Sequence, residues 1–272
     1  MAYGTCKLTS QTGKLVRSHL LPKAVTRPPD PSVPRLDGTN GGRPVRRFDS
    51  WYDSSIVTRY GEDILSSYDD WAIKELRRLG LLWDGQAEDK CVAVYEQFHE
   101  RASNMVREVE CSDPALLRLF FLSLLWRAAV TNLPGYRIDI PDQDVERLRQ
   151  MIVSRSATPL TFYPVVLIQL TTVGPWHNTS PMRKTLPISE NSDEGYNFIR
   201  FYFDGLIAHV YEGDAEEVAL KLGDSAIGAN EKAVILGKKF EDSYQDRWLK
   251  DLIMYHYINH HELSQKILGL KT

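Results

Sequence analysis

Three cysteines in 272 residues, Cys6, Cys91 and Cys111, give no disulfide framework. They fit a reducing, cytoplasmic compartment. The opening Met1-Ala-Tyr-Gly-Thr-Cys6 has no apolar signal region, so nothing predicts export. No apolar run is long enough to span a bilayer. The most apolar stretch, Leu116 to Val130, is too short and carries Arg118 and Arg127, which excludes a membrane helix. Internal repeats and low-complexity tracts are missing as well, which excludes repeat architectures and disordered arrays. What remains is 43% hydrophobic and 25% charged, an ordinary globular composition, in a chain long enough for one large domain or two modest ones.

Charge is unevenly placed. Residues 1–47 hold nine Lys and Arg against Asp30 and Asp37, a net of +7. The whole chain is at −3, so the remaining 225 residues sum to −10. A basic arm on an acidic body fits an anionic partner, nucleic acid above all, or an intramolecular clamp, or a solvated arm with no partner. Arg17, Lys23, Arg43, Arg46 and Arg47 are the candidate phosphate contacts.

Taken in order, the chain predicts an α+β fold. Leu15-Val16 reads as a short strand ending at Ser18-His19, with Pro22 stiffening the segment after it. Residues 24–47 carry Pro28, Pro29, Pro31, Pro34 and Pro44 with Gly38, Gly41 and Gly42. They predict a long loop, wholly or partly extended, without helix or strand period. Phe48 to Thr58 reads as a strand. Glu62 to Leu79 has apolar residues at three- and four-residue steps and predicts a helix ended by Gly80. The polar stretch Gly85 to Asp89 predicts a boundary between a domain at 1–84 and another at 85–272.

Beyond it, Cys91 to Val109 has helical spacing. Ser112-Asp113-Pro114 is a start signal for a helix over Ala115 to Thr131 that is apolar nearly all round and therefore buried. Arg127 on that helix needs a partner. Pro141-Asp142 opens another helix. Val165 to Leu170 reads as a buried strand, and residues 182–195 as loop. Asp204-Gly205 marks a hairpin between Asn197–Phe203 and Leu206–Tyr211. Val218 to Leu222 predicts an edge strand, and Phe240 to Leu268 a final helix stopped by Gly269. The second domain is thus expected to be mainly helical, with one buried helix and a small antiparallel sheet.

The histidines invite a metal reading. His256 and His260 share a helix face and His261-Glu262 follow, but Tyr257 stands where the two-His zinc motif has Glu. A polar, aromatic-interleaved partner face explains the pattern equally. Trp176-His177-Asn178 sits in a predicted loop with no nucleophile of obvious character nearby. Cys91 and Cys111 read as buried apolar residues.

Cys6-x-x-Thr9 followed by Ser18-His19-x-x-Pro22 resembles the opening of the HNH/treble-clef nucleases, over roughly residues 3–80. A second segment, Glu62-Asp-Ile-Leu65-Ser66-Ser-Tyr-Asp69-Asp70, is similar to a helix head in related bacterial proteins. On that resemblance Thr9, Ser66 and Asp69 stand where three of four zinc cysteines would be. One thiolate, two hydroxyls and a carboxylate are a poor zinc set, so a metal-free, treble-clef-like unit with a basic loop is expected.

The resemblance implies His19 as general base, Asn40 as its partner, and a divalent metal if the site cleaves. The family's later His has no counterpart between residues 20 and 98. The expectation is a non-catalytic or weakly catalytic HNH-like protein that binds nucleic acid or a protein partner, with a place in phage defence or on a mobile element. The alternative is an active metal-dependent endonuclease. His19 is otherwise a hydrogen-bonded residue at a strand end.

Overall fold

The computed structural model describes residues 2–26, 35–38, 45–47, 50–83, 97–101, 104–187 and 194–259. Side chains are not described at residues 35–36, 45–47, 101, 104 and 255–259. The architecture is mixed α+β. Strands β1 (Tyr3–Thr5), β2 (Thr12–His19) and β5 (Tyr52–Thr58) form a three-stranded antiparallel sheet in the order β1-β2-β5. Helix α1 (Arg59–Arg78) follows β5 directly. Gly80, at φ +64°, ends it: the Gly80 N–H reaches Arg77 O and the Leu81 N–H reaches Leu76 O, the two bonds of a Schellman stop.

The second sheet is larger than the sequence predicts. Among the described residues it has nine strands in the order β4-β3-β9-β10-β11-β8-β12-β7-β6. These are β3 (Arg35–Gly38), β4 (Val45–Arg47), β6 (His99–Arg101), β7 (Asn104–Glu110), β8 (Val165–Leu170), β9 (His177–Pro187), β10 (Gly195–Phe203), β11 (Leu206–Tyr211) and β12 (Lys232–Lys238). The pairs β3/β9 and β12/β8 are parallel and the others antiparallel, so the sheet is mixed.

Four expectations give way here. The proline- and glycine-rich loop contributes two strands. Gly38 has a reason to be glycine, since a Cβ there would overlap the Trp248 ring. Residues 104–110, read as helix, are strand β7. Val106 and Val109 sit three apart because both faces of β7 are covered and the charged Arg107 is itself buried between them. The expected loop over 182–195 is strand through Pro187 and again from Gly195. Val218 to Leu222 lies in a helix, α4 (Glu216–Leu222), whose first turn carries Glu216 and Glu217, the charge favoured there.

Other local signals hold. Asp204 and Gly205 at φ +49° and +79° make the hairpin turn of β10 and β11. Helix α2 (Pro114–Val130) is capped by Asp113, whose carboxylate accepts from Leu116 N at 2.9 Å, and is buried on nearly all sides. Helix α3 (Asp142–Ser154) ends in Arg155 at φ +55°. Helix α5 (Tyr244–Asn259) begins after a 3-10 turn at Phe240–Asp242; the expected extension to Leu268 lies outside the described residues.

The expected boundary at Gly85 to Asp89 also lies outside them. Packing on either side of it is nonetheless continuous. One apolar cluster runs from Cys6, Trp51, Leu65 and Tyr68 through Phe120, Phe121 and Trp126 to Phe203 and Ile235. Trp83 donates its indole N–H to Leu170 O at 3.1 Å and its backbone N–H to Asp204 O at 3.0 Å. Among the described residues no helix is long and apolar enough to cross a membrane.

Candidate functional site

His19 is the last residue of β2 and pairs with Tyr52 of β5. It is half-buried, and its ring meets the Tyr52 ring edge-on at 6.4 Å between centroids. The exposed Arg17, two residues earlier, lays its guanidinium over the same ring, 3.5 Å from the centroid. Tyr52 is 42% exposed, so this basic and aromatic group is open to solvent on one side. Lys23 lies just beyond, in a 3-10 turn after Pro22.

Beneath that surface is a charged core. Arg127 of α2 is 1% exposed and grips both oxygens of Asp69 on α1, at 3.0 and 2.7 Å. It also donates to His19 O at 3.1 Å. This answers the requirement for a partner that the sequence raised. Burial pushes the Asp69 carboxyl up against the pull of the Arg127 guanidinium. Glu62, two turns earlier on α1, is pushed up by burial too, with the neighbouring Ser18 hydroxyl and Arg127 drawing it down.

Asp53, next to Tyr52, is spent as well. Its carboxylate accepts from Ser55 N and Oγ at 2.8 and 2.6 Å, Thr131 Oγ1 at 2.6 Å and Asn132 N at 3.2 Å. Burial opposes its ionisation, but these donors outweigh burial and hold its pKa below the usual carboxylate value.

A divalent ion beside His19 needs oxygen ligands that are not otherwise engaged. Asp69 is held by Arg127 and Asp53 by four donors, leaving Glu62. Among the described residues no three His, Cys, Asp or Glu side chains stand together as a metal site requires. Among the described residues near His19, the carboxylates of Asp69 and Asp53 are thus already engaged and do not suit a divalent ion. Cys6 is buried, accepts from Thr9 N at 3.4 Å and packs against Gly61, where a Cβ would come within 2.6 Å of the sulfur.

Asn40 and Arg43 lie outside the described residues. Arg46 and Arg47 are on β4, an outer strand of the other sheet, and only their backbone is described. Of Trp176-His177-Asn178, expected as a loop, Trp176 precedes strand β9 and His177 and Asn178 open it. His177 is stacked between Tyr202 at 4.6 Å and Trp248 at 5.6 Å, and burial draws its pKa down to about 4. Asn178 Nδ2 donates to Asp37 Oδ1 at 3.3 Å. These are packing roles. Tyr52 was missed by the sequence reading; its signal was an aromatic in the strand after the loop, opposite a His only once register is known. No protein family model, curated protein or solved structure matches this chain.

Proposed function

We propose that this chain is a cytoplasmic, HNH-like protein that binds nucleic acid through its small N-terminal sheet and has little or no nuclease activity. The observation that carries this reading is Arg17 stacked on the exposed Tyr52 ring, with the His19 ring in edge-on contact with it. A cation over an aromatic face is the pairing that takes a phosphate and a base together. Tyr3 and Tyr60, at 76% and 56% exposed, add further rings on the same unit. Engagement of Asp69 and Asp53 in other bonds supports weak or absent cleavage, because a nuclease of this kind routes charge through a metal.

The test is fluorescence anisotropy of a labelled single-stranded oligonucleotide over a salt series. Arg17→Ala should flatten the salt dependence by about 0.7 for each phosphate no longer neutralised. Tyr52→Ala should cost about 1–3 kcal/mol if a base stacks there. Binding indifferent to salt and to both changes would remove the reading. Robust cleavage in magnesium or manganese, lost in His19→Ala at unchanged Tm, would replace it with the endonuclease.

A further inference from the structure

The large sheet has two unlike faces. Ile199, Phe201 and Phe203 of β10, with Leu206, Ala208 and Val210 of β11, enter the main core. The alternate residues face the other way and form two small clusters. One gathers Trp83, Leu170, Tyr202, Ile207, Phe240 and Leu249, with Trp248 packed on it, under α5. The other gathers Val166, Phe198, Tyr211 and Val218, under α4. Between them, on the same face, stand Arg200 of β10 and His209 of β11, which are direct partners in the register.

Among the described residues this seam holds positive charge without a carboxylate counter-ion. Arg200 makes no ion pair with a carboxylate among the described residues, and its Nε is buried without a hydrogen-bond partner. Its guanidinium rests 4.9 Å from the centroid of the Tyr244 ring. Lys184 reaches the same ring from β9: its Nζ is 4.5 Å from the centroid and 3.4 Å from the hydroxyl. Lys184 pairs with Phe198, one step along the face from Arg200. His209 packs against Phe198 at 4.1 Å, and its Nε2 is buried and unbonded. Arg247 of α5 acts on Arg200, and Lys238 of β12 acts on His209, both adding positive potential. Burial draws Arg200 down to about 10 against the pull of the Tyr244 and Tyr202 phenols, and burial with the charge of Arg200 draws His209 to about 3.

Largely desolvated charge with no counter-ion is costly, and a bound anion relieves that cost. A planar carboxylate is satisfied by one arginine fork. Donors from three strands, an arginine, a lysine and an imidazole, suit a tetrahedral oxyanion better. We propose that the seam between α4 and α5, floored by Arg200 and His209 and flanked by Lys184 and Tyr244, binds a small phosphate-bearing anion. The site shares no residue with the Arg17–Tyr52 surface and stands whether or not nucleic acid binds there.

Calorimetry of the full chain with inorganic phosphate and with adenosine monophosphate, alongside NMR of the labelled His209 ring, tests this. The expected result is saturable binding that moves the His209 resonance and is about tenfold or more weaker in Arg200→Met. Arg17→Ala should bind phosphate like the wild type. Tighter binding of the nucleotide than of phosphate identifies a nucleotide phosphate, and equal binding identifies the free ion. If Arg200→Met does not fold, Arg200→Lys and Lys184→Met take its place, and a loss of affinity in either supports the site. No response at His209 at millimolar phosphate, or undiminished binding in every folded variant, overturns it.

Discussion

Arg127 Nη1 bonds both Asp69 Oδ2 and the carbonyl of His19, tying strand β2 to helices α1 and α2 through one guanidinium. Removing one member of such a buried pair leaves the other charge stranded. Asp69→Asn or Arg127→Met should each cost about 3–5 kcal/mol in urea unfolding. The double change Asp69→Leu/Arg127→Met should recover much of that. A double mutant as unstable as the sum of the singles would show that the two residues act separately.

Gly38 sits where the Trp248 ring leaves no room for a side chain. Gly38→Ala should destabilise the fold by about 1–3 kcal/mol, as overpacking does. The change should also alter tryptophan fluorescence, because Trp248 must shift. Wild-type stability with an unchanged spectrum would mean β3 is not seated against α5.

Acid should weaken the protein through its buried histidines. His177 is drawn down from 6.5 to about 4 by burial, and His209 to about 3 by burial and Arg200. A base with a depressed folded pKa binds protons more readily unfolded. The stability it contributes is complete above about pH 6.5 and is lost as pH falls from there toward its folded value. Unfolding free energy should therefore decline from about pH 6.5 to about pH 4. In His177→Gln that decline should be shallower. A flat profile down to about pH 5 in the wild type would contradict the burial of both rings.

Much of the helical part of this fold is legible in the sequence. Asp113-Pro114, the apolar girth of α2 and the Gly80 stop each act within a few residues, so spacing reveals them. The Asp204-Gly205 turn is legible for the same reason. Strands β3 and β7, which escaped detection, take their form from distant partners. Leu36 pairs with His177 and Val106 with Leu236, and local composition does not encode that. The site divides likewise. His19 and Arg17 stand out by motif and charge, whereas Tyr52 joins them through register. Arg127 could be read as needing a partner, but Asp69 was assigned to the zinc set that the resemblance suggested.

The excursion between β2 and β5 has a consequence for the order of folding. Its neck is closed by Leu20 N to Trp51 O and by Ser50 Oγ to Leu21 O, both at 2.9 Å. Its strand β3 adds to β9, and Asp37 meets Asn178 across 141 residues of chain. That ladder cannot form until β9 exists, and Trp248 can close over Gly38 only afterwards. Contacts so distant along the chain carry the largest closure entropy and form slowly. The N-terminal hairpin can therefore be complete early in synthesis while its own loop waits for helix α5, among the last described elements to leave the ribosome.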